Sequence, residues 1–148
     1  MPLVIRKEQF AALQLDSDVR WYEGQLADLY PPFAAAPFAQ RREWIHRGIQ
    51  RARAYGLHRP DFFPFLCFEQ TFSPGCLENP AFEWARHLLT EPDKTSADRV
   101  KHLRHESIRR LLEVEAGEQR AQEEDQDARA SEEMDIEPKD APLEDAAR

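Results

Sequence analysis

Apolar residues recur every three to four positions through the first three quarters of the chain, which is the spacing of one face of an α-helix. Alternating, strand-like runs are few, and valine and threonine are scarce. The pattern therefore predicts an all-α fold, a small irregular bundle of about five helices joined by short loops. The predicted helices cover roughly residues 6–30, 38–55, 61–72, 79–91 and 95–112.

The core is predicted from the apolar positions that share a face on each helix. The first helix is either continuous or broken near residues 16–18, because Asp-Ser-Asp favours turns. The predicted core residues are Tyr22, Leu26, Leu29, Tyr30, Trp44, Ile45, Ile49, Ala52, Phe65, Leu66, Phe68, Phe72, Phe82, Ala85, Leu88, Leu89, Val100, Leu103, Ile108 and Leu111.

Proline and glycine mark the ends of the first two helices. The pair Pro31-Pro32 stops the first helix, and residues 33–37 are predicted to form a loop. Gly56 suits the position just after the second helix, since glycine tolerates a left-handed backbone, and Leu57 is then expected to fold back onto that helix. Gly48, on the apolar face of the second helix, is expected to permit close approach of another helix.

Polar capping residues mark the starts of the last three helices. Asp61 is predicted to cap the third helix, and Asn79, which is followed by proline, to cap the fourth. Either Thr95 or Ser96 is predicted to cap the fifth.

Charge and aromatic content divide the chain after Leu112. The whole chain has 28 acidic and 20 basic residues, a formal net charge of −8. Residues 1–112 hold all 15 aromatic residues, whereas residues 113–148 hold 14 acidic and 4 basic residues and no aromatic one. We therefore predict a helical domain over 1–112 and an acidic extension over 113–148, helical to about residue 130 and disordered from residue 131.

Composition and motifs argue against several classes of function. The chain shows neither a secretory signal nor an apolar run long enough to cross a membrane, so we expect a cytoplasmic protein with no membrane partner. The acidic balance disfavours nucleic acid as a partner. A phosphate-binding glycine loop, a nucleophile elbow and a His-Glu-x-x-His pair are all missing from the sequence, so we expect no enzymatic activity and no cofactor.

Histidines and cysteines give no recognisable metal motif. His102 and His105 share a helical face, but only His87 is a nearby candidate for a third ligand, so we expect no metal site. The cysteines are expected to be free thiols. Cys67, in an apolar run, is expected to be a small buried residue, whereas Cys76, after a Pro-Gly turn, is expected to be exposed.

Two groups of side chains are candidates for a partner surface. Five arginines lie within 13 residues of the second helix, either as a solvated outer face or as a docking patch for an acidic partner or for the chain's own tail. The third helix and its flanks carry more phenylalanines than one helix face can bury, so some of them either complete the core or contact a partner. The candidate partner-binding residues are Arg47, Arg51, Phe62, Phe63, Phe72 and Trp84.

An ordered series of short motifs spans residues 3–104. It comprises Leu-Val-Ile-Arg at 3–6, Gly-Ile-Gln-Arg-Ala-Arg-Ala-Tyr-Gly-Leu at 48–57, phenylalanines at 65, 68 and 72, Pro-Gly at 74–75, Asn-Pro at 79–80 and Trp-Ala at 84–85. The series resembles a family of small helical bacterial proteins that are encoded beside type VI secretion effector genes, near adaptors that load effectors onto the secreted spike. The chain departs from that family at residues 73–76, Ser-Pro-Gly-Cys, where members carry Gly-Pro-Asp-Phe.

The resemblance implies a cytoplasmic, non-enzymatic co-chaperone. Its expected partner is an effector adaptor, or chaperone, with the effector itself as a second candidate partner, and the family offers no catalytic residues to carry over. The alternative is an immunity protein that binds and neutralises a cognate toxin, since such proteins are also small, acidic and encoded beside toxins. Composition and spacing do not separate these two functions.

Overall fold

The computed structural model describes residues 6–135 of the chain. Over these residues the secondary structure is helical and includes no strand, which confirms the predicted all-α fold. The α-helices are α1 (Lys7–Leu29), α2 (Pro31–Ala35), α3 (Phe38–Ala54), α4 (Phe62–Phe72), α5 (Glu83–Leu89) and α6 (Ser96–Asp135). Single 3₁₀ turns cover Arg59–Asp61, Cys76–Glu78 and Pro80–Phe82.

The described residues form two compact units, the first ending at Ser107 and the second beginning at Ile108. The first unit holds α1 to α5 and the start of α6, and the second is the remainder of α6. The sequence placed its domain boundary five residues later, after Leu112.

The start of the chain differs from the sequence prediction at two points. α1 runs without interruption through residues 16–18. Residues 33–37 are not a simple loop, because Pro31 ends α1 and also occupies the first position of α2, where its missing N–H is harmless. Phe33 of this short helix is fully buried and lies 6.0 Å from Trp44 between ring centroids, and this packing anchors α2.

The end of α3 and its contact with α4 follow the sequence. Gly56 has φ +75°, and the N–H of Leu57 donates to the carbonyl of Ala52 at 3.0 Å, as in a left-handed helix terminus. At Gly48 a Cβ atom would lie 2.3 Å from Cδ2 of Leu66, so glycine leaves room for the Leu66 side chain where α3 meets α4. Both glycine predictions are confirmed.

The caps follow the sequence only in part. The Oγ1 of Thr95 accepts from the N–H of Asp98 at the start of α6, as predicted. Asn79 does not cap α5, which begins at Glu83 after Phe82, but caps the 3₁₀ turn Pro80–Phe82 through the N–H of Ala81. Asp61 does not cap α4. Its carboxylate instead accepts from the hydroxyl of Ser96 at 2.5 Å, which ties the start of α6 to the turn before α4.

One hydrophobic core lies inside the first unit. Three predicted core residues are wrong, because Leu29, Ile108 and Leu111 are exposed. The buried apolar residues are Val19, Tyr22, Leu26, Phe33, Ile45, Ile49, Ala52, Leu57, Phe62, Phe65, Leu66, Phe68, Cys76, Leu77, Ala85, Leu89, Val100 and Leu103.

The acidic extension is helical for longer than the sequence indicated. Disorder was predicted from residue 131, but α6 continues through Asp135. The rest of that predicted segment, residues 136–148, lies outside the described residues. None of the helices within residues 6–135 is long and apolar enough to cross a membrane.

Candidate functional site

An exposed apolar surface lies on α1, which we call the α1 surface: Phe10, Leu13 and Trp21, together with Phe63 of α4. The three α1 side chains are 59%, 61% and 54% exposed. At 100° per residue, positions 10, 13 and 21 fall within an arc of about 80°, and the buried residue Val19 lies on the opposite side of the helix. α1 therefore presents one apolar face to the core and a second one to solvent.

Aromatic contacts hold Trp21, at one end of the α1 surface, in place. The ring centroid of Trp21 lies 5.1 Å from that of Phe63, with an edge-to-face angle of 69°. Phe63 in turn stacks on Tyr22, with centroids 6.1 Å apart and planes 8° from parallel. Edge-to-face and offset stacked pairs are favourable beyond the area that they bury. Trp21 is thus an exposed side chain whose position is already fixed, which lowers the entropy lost when it binds.

An ion pair fixes α1 against the turn that leads into α4. The Nε and Nη2 atoms of Arg59 each donate to the carboxylate of Asp18 at 2.7 Å. Asp18 lies three residues before Trp21, and Arg59 lies four residues before Phe63, so the ion pair stabilises the approach of α1 to α4.

Burial, with a smaller contribution from the charge of Asp18, raises the pKa of Tyr22 above its ordinary value.

Phe63 is the only predicted partner-binding residue on the α1 surface, and sequence reasoning missed the three α1 residues. A signal for them was present, because Phe10, Leu13 and Trp21 follow helical spacing. It was overlooked because α1 carries apolar residues on both of its faces, and the spacing alone does not tell which face is covered.

The structure brings together two more of the predicted residues, Phe72 and Trp84. Their ring centroids are 6.2 Å apart, and Phe82 lies 5.3 Å from Phe72. Phe68, which is buried, completes the cluster at 5.0 Å from Phe72. Phe72, Phe82 and Trp84 are half-buried, so they cover one another at the edge of the core and expose part of each ring.

Two predicted residues have structural roles. Phe62 is 5% exposed and belongs to the core. The Nε of Arg51 donates to Oε2 of Glu69 at 2.6 Å, and its Nη2 donates to Oε1 at 3.2 Å. Arg47 lies four residues away but at the surface, where it pairs with Glu43 at 2.7 Å. The predicted arginine patch therefore consists of side chains in different environments, and the partner-binding roles of all six residues stay predictions.

Glu69 is a buried carboxylate that the sequence did not identify. It is 2% exposed and accepts hydrogen bonds from Arg51 and from the N–H of Gly75 at 3.1 Å. It thus joins α3, α4 and the turn that follows α4. Nothing in the sequence separates this glutamate from the many exposed ones.

Both thiols are buried or half-buried. Cys76 was expected to be exposed but is buried, because the turn Cys76–Glu78 folds it against the core. Burial, assisted by the charge of Glu69, raises the pKa of Cys76 to about 11. Burial also raises the pKa of Cys67, which is half-buried. Among residues 6–135, no group of three or more histidine, cysteine or acidic side chains is arranged to hold a metal ion.

Compared with known proteins, the chain matches no family model, no curated protein and no solved structure.

Proposed function

We propose that this chain is a non-enzymatic accessory protein that binds a type VI secretion effector adaptor in the cytoplasm and assists effector loading. The class of partner comes from the sequence resemblance. The observation that carries a binding role is the α1 surface, where Trp21 is 54% exposed and yet fixed by Phe63.

An apolar surface of this kind supports a protein partner. Apolar side chains that are exposed singly are common, whereas Phe10, Leu13 and Trp21 share one exposed face of α1. Tryptophan is also among the residues that contribute most to protein–protein affinity when they fill a pocket on the partner. We therefore assign the adaptor contact to the α1 surface, with Trp21 as its main contact residue.

An immunity protein is the second candidate, and the charge of α6 favours it. Residues 121–135 contain seven acidic residues and a single basic one, Arg129. A helix with this charge attracts a basic partner, such as a toxin that acts on nucleic acid. In this alternative α6 contacts the toxin and the α1 surface is not needed.

Co-expression with each neighbouring gene product tests the proposal. The full chain is purified from each co-expression and analysed by size exclusion at low and at high salt. Co-elution with the adaptor at both salt concentrations supports the co-chaperone, because apolar contacts survive when charges are screened. Binding to the cognate toxin and not to the adaptor, with rescue of cells that express the toxin, supports the immunity function and overturns the proposal.

A further inference from the structure

The second unit is a helix whose apolar side chains are uncovered within that unit. Its described part is the stretch 108–135 of α6, where the apolar residues Ile108, Leu112 and Met134, among others, are 46%, 59% and 82% exposed. An isolated helix gains no stability from packing, so such side chains favour a partner helix.

A stripe of mostly uncharged residues runs the length of this helix. Its spacing alternates between four and three residues, which is the heptad spacing of a two-stranded coiled coil. Ile108 and Met134 extend it by one turn at either end. The six heptad positions together with Ile108 and Met134 make eight positions, of which one is charged. Of the other 20 residues between 108 and 135, 13 are charged. The six heptad positions are Leu112, Ala116, Gln119, Glu123, Gln126 and Ala130.

The stripe matches itself when it is reversed. Residue 121 is the midpoint of the stripe, and for each stripe position before it there is a stripe position the same number of residues after it. The counterparts are Ile108 and Met134, Leu112 and Ala130, Ala116 and Gln126, and Gln119 and Glu123. A two-fold axis at that level would therefore place apolar residues opposite apolar residues at both ends of an antiparallel pair. We infer that a second copy of this chain pairs antiparallel with the first along this stripe.

Charge selects the antiparallel orientation. Residues 108–120 contain three arginines and three glutamates, whereas residues 121–135 have a net charge of −6. A parallel pair would place the two acidic halves side by side, and an antiparallel pair places each beside a neutral half. On one edge of the antiparallel pair Glu115 would lie within a turn of Arg129 of the second copy, which is attractive. On the other edge Glu113 would approach Asp127 of the second copy, which is repulsive.

The expected pairing is reversible because the contact is small. A helix of 28 residues is about 42 Å long, and its contacting face is about 10 Å wide. Each copy would then bury about 400 Å², roughly half of what a stable interface buries per partner. The pair should form and dissociate with protein concentration.

Sedimentation equilibrium of the full chain over a range of concentrations tests the pairing. The matched variants are Leu112→Lys, on the stripe, and Val114→Lys, on the opposite face, because the two native side chains are 59% and 60% exposed. Leu112→Lys should weaken self-association by about tenfold or more, since it places an unpaired ammonium in the contact, and Val114→Lys should change it little. A monomer at every concentration, or equal effects of both variants, would overturn the inference.

Disulfide formation between separate variants tests the orientation. Ala116→Cys and Gln126→Cys should cross-link when the two are mixed under mild oxidation, and each alone should cross-link little. The unsubstituted chain measures the background from Cys67 and Cys76, which are half-buried and buried. Cross-linking of each variant mainly with itself would indicate a parallel pair and contradict the inference.

Discussion

Arg51 of α3 and Glu69 of α4 form a two-pronged ion pair, with Nε 2.6 Å from Oε2 and Nη2 3.2 Å from Oε1. The Arg51 side chain is 27% exposed and that of Glu69 only 2%, so the pair forms at the edge of the core. A buried carboxylate is costly unless it is paired, and removal of its partner costs more than the pair itself contributes.

Replacement of Arg51 should destabilise the fold far more than replacement of Arg47. Arg51→Met leaves the Glu69 carboxylate buried with only the N–H of Gly75 as a donor, so we expect a loss of about 3 kcal/mol in the free energy of unfolding. Arg47→Met breaks a pair that is exposed on both sides, with an expected change within about 0.5 kcal/mol. Urea denaturation measures both.

The double variant Arg51→Met/Glu69→Leu isolates the cause. It removes the buried charge together with its partner, so it should recover most of the stability that Arg51→Met loses. If the double variant is as unstable as Arg51→Met, the loss arises from packing by the arginine and not from the unpaired carboxylate.

Gly48→Ala should destabilise the protein, and Gly24→Ala should stabilise it. The new Cβ at position 48 would lie 2.3 Å from Leu66 Cδ2 and 3.0 Å from Glu69 Oε1, so the buried Leu66 side chain must shift or the two helices must move apart, at an expected cost of about 1–3 kcal/mol. Gly24 is inside α1 with nothing within 4 Å of the added Cβ, so alanine should add about 0.5–1 kcal/mol. Thermal denaturation of both variants checks this. If both substitutions change the stability in the same direction, the close approach at Gly48 is refuted.

Stability should fall as the pH rises above about 9, in part because of Cys76. The pKa of Cys76 is about 11 in the folded chain, higher than its ordinary value, so the unfolded chain loses this proton first. Between those two pKa values the folded state binds more protons, and the free energy of unfolding decreases with pH. Cys76→Ala should reduce the drop measured by urea denaturation between pH 8 and pH 10.5. An unchanged drop would show that Cys76 does not contribute to it.

The sequence predicted α3 almost completely, from Phe38 to its glycine terminus, because periodicity, glycine conformation and close packing agree there. The sequence did not predict α2, because a proline pair usually ends a helix. Only the tertiary burial of Phe33 shows that a new helix begins there. The sequence placed Ile108 and Leu111 in the core because helical spacing continues past the end of the first unit. Trp21 was missed for the same physical reason, since spacing identifies an apolar face but not what covers it.

The measurement that tests the central claim most directly is the affinity of the adaptor for the full chain, for Trp21→Ala and for Phe38→Ala. Trp21 and Phe38 are both 54% exposed, so the second variant controls for the loss of an exposed aromatic side chain. We predict that Trp21→Ala weakens binding by at least about tenfold at both low and high salt, while Phe38→Ala binds as the unsubstituted chain does. Equal affinities for Trp21→Ala and the unsubstituted chain, or no binding of the adaptor at all, would contradict the account.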